Sequence, residues 1–268
     1  MIPHRTVGDM SLTSPLVLPT PHDDLRHFHV RMAYACALVA IAGFIPTYWA
    51  PVASRTFGGP PILHVHGLLF SAWPVLFIAQ ARLAAAGRFE RHRAIGFVGI
   101  SLATAMLFAG IAAVIHSLKG ASASDFEPQA RAFAIVPLSI VLSFAGLVAA
   151  ALANVRRPEV HMRLMLAASI TVLPPAIARI LFLFLAPEGS APPGQGEPPT
   201  VAFALLPSFL ANLLLVIAMV HDWRRRGRPH SAYLIAGACI VTVQIARIPL
   251  SSTTPWHGIT TWLLAFGG

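Results

Sequence analysis

The stretch HVHGLLFSAWPVLFIAQ, His64 to Gln80, decides the fold. It is an apolar run that continues almost unbroken to residue 86 and carries two histidines, a tryptophan and a glutamine. About 20 apolar residues span the ~30 Å hydrocarbon layer of a bilayer as a helix. Lipid offers an imidazole or an amide no hydrogen-bond partner, so a helix with these side chains is expected to pack against other helices.

Runs of similar length and apolarity recur along the whole chain. Of the 268 residues, 56% are hydrophobic and 11% are charged, which excludes a soluble domain of this size. The sequence predicts an all-α, polytopic transmembrane helix bundle with seven spans in a bacterial inner (cytoplasmic) membrane. The spans are expected near residues 30–50, 62–86, 94–117, 131–154, 163–186, 201–221 and 231–249.

Arginines mark alternate loops between these spans. By the positive-inside rule the N-terminus and the loops after spans 2, 4 and 6 are expected to be cytoplasmic and the C-terminus outside. The formal net charge of +9 is explained by these loops, and the basic stripe that nucleic-acid binding needs is missing. The arginines of the three loops are Arg88, Arg91, Arg93, Arg156, Arg157, Arg163, Arg224, Arg225, Arg226 and Arg228.

The two ends of the chain differ from the apolar middle. Residues 1–29 lack apolar periodicity and are expected to form a disordered cytoplasmic arm, leaving 30–268 as a single transmembrane domain. The tail is too short to cross again and predicts a short, amphipathic outer helix. Thr254 is expected to be its N-cap, and Trp256 and Trp262 suit the outer headgroup belt.

Three polar or aromatic side chains of the opening stretch share one helix face. His66, Trp73 and Gln80 are seven residues apart and form a stripe, whereas His64 lies about 200° away from His66. The stripe is expected to face protein, and the following Pro74 predicts a kink. We interpret the stripe as part of a candidate cofactor site.

A weak internal repeat links later spans. Span 5 opens with His161 and later carries Arg179 within IARI; span 7 opens with His230 and carries Arg247 within the same tetrapeptide. Span 3 has the matching opening histidine, His92, without a later arginine. Parallel duplication of a two-helix unit would explain the pattern. The three histidines are interpreted as partners for polar groups at helix starts.

The two arginines of the repeat are expected ~25 Å along their helices, in the outer third of the membrane. Every acidic residue lies in the arm, in a loop or at the end of span 6, so neither arginine has a carboxylate at its level. A charge in the bilayer predicts a functional site. The side chains expected at this outer level are His64, His66, His116, Arg179, Arg247 and His257.

Haem b is the leading cofactor for this level. Its propionates would pair with the two arginines, while His66 and His116, or His64 and His257, ligate the iron. A copper or zinc ion held by histidines, with His64, His66 and His116 as candidates, is an alternative. The arginines could instead snorkel to phospholipid phosphates, which makes membrane lipid a third partner.

Two other function classes stay open. Pro174 and Pro175 are expected to break span 5, and broken helices line substrate paths in transporters, although no Asp or Glu is expected within a span. A structural bundle that binds only lipid requires no more than the sequence contains. Hydrolytic or nucleophilic catalysis is not indicated, since no Ser/His/Asp set, carboxylate pair or phosphate loop is present.

Three stretches carry a family resemblance: HVHGLLFSAWPVLFIAQARLAAAGRFERHRAIG, EVHMRLMLAASITVLPPAIAR and VQIARIPLSSTTPW. With its HxH, Trp, Gln and HRxxG pattern the chain resembles a family of uncharacterised bacterial multi-pass membrane proteins. More remotely it resembles histidine-bearing membrane proteins linked to cytochrome oxidase assembly. That resemblance implies haem or copper, and a respiratory-chain or redox partner. We therefore expect a haem- or metal-binding protein that acts in electron transfer or respiratory-complex assembly.

Overall fold

A computed structural model describes residues 21–187, 189 and 196–266 of the chain, with side chains from residue 24 onward. Helices dominate this part, and it contains no strand. The α-helices are α1 (Pro21–Phe44), α2 (Ala50–Ala53), α3 (Pro61–Ala85), α4 (Phe89–Ala121), α5 (Glu127–Phe133), α6 (Ile135–Ala153), α7 (Pro158–Thr171), α8 (Pro174–Leu185), α9 (Leu205–Arg226), α10 (Ser231–Leu250) and α11 (Thr254–Ala265).

Seven helical segments are long and apolar enough to cross a bilayer, and they confirm the predicted seven-span bundle. Span 1 consists of α1, a π-helical turn (Ile45–Trp49) and α2. Span 4 combines α5 with α6, and span 5 combines α7 with α8. The protein is a multi-pass membrane protein by the length and apolarity of these segments.

The first helix starts earlier than expected. The sequence predicts span 1 from residue 30, but α1 begins at Pro21, so the described part of the expected arm is helical. Packing explains the extension: the Phe28 ring stacks on His221 with centroids 3.8 Å apart, and His29 is buried. Residues 1–20 of the predicted arm lie outside the described residues.

Three antiparallel hairpins turn at one end of the bundle. The turns join α3 to α4, α6 to α7 and α9 to α10, and they carry the loop arginines, so we call this the arginine-rich end. Gly87 and Gly227 end α3 and α9 with left-handed φ angles of 69° and 72°. The helices of the hairpins α3–α4 and α6–α7 pack closely against each other, and those of α9–α10 pack less closely.

Span 5 is broken where the sequence predicts. Helix α7 ends at Thr171 and α8 begins at Pro174, because neither proline can donate to the ladder of α7. By contrast, α3 continues through Pro74. Near the far end, α1 and α8 approach so closely that a Cβ on Gly43 would collide with the backbone of Ala176.

The last helix, α11, differs from the prediction in two details. Its N-cap is Thr253 rather than Thr254: the Thr253 hydroxyl accepts from the backbone N–H of Trp256 at 3.4 Å. Trp256 is buried instead of lying in a headgroup belt, because its indole N–H donates to the carbonyl of Arg131 at 2.8 Å. Trp262 is 58% exposed.

Candidate functional site

The histidines expected at one outer level are not brought together in the described structure. His116 and His257 are exposed, and no hydrogen bond or ring contact joins either of them to another candidate site residue. His64 is exposed as well, with its ring beside Tyr48 and Phe57. Within the described residues no group of three His, Cys, Asp or Glu side chains is placed to hold a metal ion.

The stripe on α3 faces protein, as expected. Trp73 is buried, and its indole N–H donates to the Ser169 hydroxyl at 3.1 Å. The side-chain amide of Gln80 is buried without a hydrogen-bond partner among the described residues, and so is Nδ1 of His66. Only the middle of the stripe is therefore satisfied by the protein itself.

Arg179 on α8 has neutral partners only. Its Nε donates to the Thr47 hydroxyl at 3.0 Å and its Nη1 to the carbonyl of Pro175 at 3.0 Å. The guanidinium lies 4.4 Å from the centre of the Phe44 ring. These contacts tie α8 to the π-helical turn of span 1. Among the described residues no carboxylate pairs with this guanidinium.

Arg247 on α10 is also without an acidic partner in the described residues, and it is only 2% exposed. Its Nη2 donates to the carbonyl of Ala204 at 3.0 Å and to the Ser208 hydroxyl at 2.8 Å, while its Nε is buried and unpartnered. Arg179 contacts span 1 and Arg247 contacts the start of α9. The two arginines share no partner, so the described structure does not present them as a pair to one ligand.

The sequence analysis missed a buried ion pair at the arginine-rich end. Arg163 donates from Nε and Nη2 to the two carboxylate oxygens of Asp222, at 2.8 and 2.9 Å. Both side chains are essentially inaccessible. The sequence places Asp222 at the end of span 6, and it lies in the last turns of α9, where it is buried. The sequence feature that could have predicted the pair is the position of Arg163 and Asp222 at the same end of consecutive spans.

Further hydrogen bonds surround this ion pair. The Tyr233 hydroxyl meets Nε2 of His29 at 3.1 Å, and Nδ1 of His29 lies 2.9 Å from the carbonyl of Leu25. His230 caps α10, because its Nδ1 accepts from the N–H of Ala232 at 3.1 Å. Burial lowers the pKa of His230, and the Arg163 charge lowers it further, so the ring stays a neutral acceptor.

The opening histidines of spans 3 and 5 lie close together at the same end. The ring centroids of His92 and His161 are 6.3 Å apart, with ring planes at 87°. Nδ1 of His92 lies 3.3 Å from the carbonyl of Gln80, and Nδ1 of His161 lies 2.9 Å from the carbonyl of Ala151. Each histidine is thus tied to the last turns of the preceding helix in its hairpin.

These two hydrogen bonds determine which ring nitrogen donates. A carbonyl only accepts, so each Nδ1 carries a proton, and a ring that is neutral keeps its lone pair on Nε2. Neither Nε2 has a hydrogen-bond partner among the described residues. Metal-binding histidines are held in this way, with the far ring N–H on a carbonyl. The sequence analysis interpreted the two residues as separate helix-start partners and did not predict that they meet.

Comparisons with protein-family models, curated proteins and solved structures gave no match to the chain. The candidate site therefore stands on the geometry of its own residues.

Proposed function

We propose that the protein binds a single transition-metal ion between His92 and His161 and supplies it to a membrane partner. The observation that carries the proposal is the pair of imidazoles, each held through Nδ1 and each with an unpartnered Nε2. Metal–imidazole bonds are about 2 Å long, so two imidazoles on opposite sides of one ion have ring centres roughly 6 Å apart. The observed separation of 6.3 Å agrees with that arrangement.

The number of ligands favours copper. Imidazole suits Zn, Cu, Fe and Ni, but zinc sites in proteins take three or four protein ligands. Cuprous copper accepts two nearly collinear nitrogen ligands. Since no third His, Cys, Asp or Glu joins the pair in the described structure, copper(I) is the ion that these residues fit best.

Haem fits this pair less well. Two axial imidazoles would suffice for a haem iron, but the porphyrin also needs a slot between them. The larger of the two described cavities, about 610 Å³, lies over the turn Gly87–Arg91 and is not lined by either histidine. The smaller, about 90 Å³, is near the opposite end of α4. A single ion needs no such slot.

A two-ligand site suits metal transfer. Coordination positions left open on the ion are available to a ligand from another protein, whereas a closed site holds its metal permanently. With the arginine-rich end in the cytoplasm, the pair would take copper from that side. Assembly of a copper-containing respiratory complex in a bacterial inner membrane is the role that this chemistry supports.

The test is copper binding by the detergent-purified protein under reducing, anaerobic conditions. Copper retained after dialysis is counted by mass spectrometry, and affinity is measured by competition with a coloured copper(I) chelator. We expect one copper per chain, and at least a roughly tenfold loss of affinity in His92→Ala and in His161→Ala. His116→Ala and His257→Ala, which change exposed histidines, are the matched controls and should bind like the unchanged protein.

Two results would overturn the proposal. One is copper binding that is equal in all five proteins. The other is a reduced-minus-oxidised b-type spectrum that is lost in His66→Ala and kept in His92→Ala, which would favour a haem at the opposite end.

A further inference from the structure

We infer that the end of the bundle opposite the arginine-rich end binds a phosphate group, through Arg179 and His66, between the π-helical turn of span 1 and α8. A phospholipid headgroup is the source that the surroundings favour, and free inorganic phosphate is the other. The inference uses none of the residues of the proposed metal site.

The charge on Arg179 is the first argument. A guanidinium in a membrane span needs an anion or several strong acceptors, and it has one hydroxyl, one carbonyl and the face of a phenyl ring. Its Nη2 makes no hydrogen bond to the described residues, and the side chain is only partly buried. A planar guanidinium with a spare donor is suited to phosphate oxygens.

His66 supplies the second argument. Its ring stacks on Phe70 with centroids 4.2 Å apart, and the neighbouring Gly67 packs against Tyr48 of the π-helical turn. Its Nδ1 is buried with no partner among the described residues, which is costly for a nitrogen inside a membrane protein. A phosphate oxygen satisfies this nitrogen by accepting a hydrogen bond from it when the ring proton lies on Nδ1.

The backbone of span 1 helps to position Arg179. The π-helical turn presents Thr47 to Arg179, and π-helical turns inside α-helices are frequent at functional sites. Gly43 allows α1 to approach the backbone of Ala176, one turn before Arg179. The arginine is thereby held against span 1 by packing, and its position does not depend on a bound ligand.

The surroundings favour a lipid. Tyr48 and Trp49 follow Thr47 directly, and Trp49 is 37% exposed, as expected of aromatic side chains at headgroup depth. Arg179 precedes the end of α8 at Leu185 by six residues, or roughly 9 Å of helix. An arginine side chain reaches a headgroup phosphate over such a distance by snorkelling.

The experiment is thermal unfolding of the protein in a non-ionic detergent and phosphate-free buffer, with three probes. They are dihexanoyl phosphatidylglycerol, a dihexanoyl glycerol without phosphate, and sodium phosphate. We expect the phosphatidylglycerol to raise the unfolding temperature saturably and the uncharged lipid to have no effect. Stabilisation by sodium phosphate at the same concentration would support the site with a soluble source.

Substitutions of Arg179 and His66 test whether the lipid stabilises the protein by binding at these residues. Arg179→Gln should weaken the apparent affinity for the phosphatidylglycerol by about tenfold or more, and His66→Phe by less. Arg55→Gln, which removes an exposed arginine at the same end of the bundle, is the matched control and should leave it unchanged. If Arg179→Gln does not fold, Arg179→Lys is used instead. It keeps the charge but loses the planar set of guanidinium donors, so the phosphatidylglycerol should raise its unfolding temperature less. Equal responses in the unchanged protein and the arginine variant that folds would overturn the inference.

Discussion

The two ends of the bundle differ in how their buried arginines are compensated. At the arginine-rich end, Arg163 is neutralised by Asp222 and the surrounding groups hydrogen-bond one another. At the other end, Arg179 and Arg247 have neutral partners, with unpartnered nitrogens beside them. Where the donors, acceptors and charges of a network are all paired within the protein, the network fixes how the helices pack. Where a charge lacks a partner of opposite sign, it is available to a ligand.

The largest effect is expected from Asp222→Ala. It leaves Arg163 as an uncompensated buried charge, so it should lower the free energy of unfolding by about 3–5 kcal/mol. Denaturant titration in detergent micelles measures the change. Asp125→Ala, which alters an exposed acid, is the control and should cost little. The double variant Arg163→Met, Asp222→Leu should recover most of the loss. A loss for Asp222→Ala as small as that of the control would mean that the ion pair does not stabilise this end.

Next in size is Tyr233→Phe, which removes one hydroxyl from the same network. Nε2 of His29 then loses its buried donor, and we expect a cost of about 1–2 kcal/mol in the same titration. Tyr34→Phe, which changes a tyrosine with an exposed ring, is the matched comparison and should cost less. If both variants are equally stable, the hydrogen bond to His29 contributes nothing that water or lipid does not replace.

Arg247→Met tests the opposite end of the bundle, where the buried arginine has only neutral partners among the described residues. The charge has no carboxylate partner in the described structure. Replacing it should therefore lower the free energy of unfolding by less than about 1 kcal/mol, because the two hydrogen bonds lost are offset by removing a buried, unpaired charge. Arg163→Met, with the same change of side chain, should cost several kcal/mol. Similar costs for the two variants would contradict the distinction between the two ends.

The smallest effect is the pH dependence contributed by His230. Its pKa is lowered in the folded protein, so folding favours the neutral ring. This stability is fully present above the unfolded pKa of about 6.5 and is lost as the pH falls below it. His230→Asn keeps an N-cap acceptor and does not titrate. Its stability should therefore fall less than that of the unchanged protein between about pH 7.5 and 5, and parallel profiles would argue against the lowered pKa.

The sequence predicts features that depend on one helix at a time. The seven spans follow from hydropathy, which the bilayer thickness imposes, and the break at Pro174 follows from the missing donor of proline. The orientation of His66 and Trp73 toward protein follows from helical periodicity. None of these requires knowledge of which helices are neighbours.

The polar contacts between helices could not be predicted in the same way. Arg163 and Asp222 are 59 residues apart, and their contact depends on the rotation of two helices about their axes. The repeat identified His92 and His161 as equivalent, but only the packing of the two hairpins brings their rings together. The sequence predicts His116 and His257 at the level of His66, but both are exposed, because depth in a membrane does not fix the direction of a side chain.

The break in span 5 separates two helices whose arginines hydrogen-bond different neighbours. Helix α7 is clamped to α9 by Arg163, whereas α8 is clamped to span 1 by Arg179 and by the close contact at Gly43. Only Val172 and Leu173 separate the two helices along the chain. The break therefore lets one span make two separate polar contacts, with α9 near one membrane surface and with span 1 near the other.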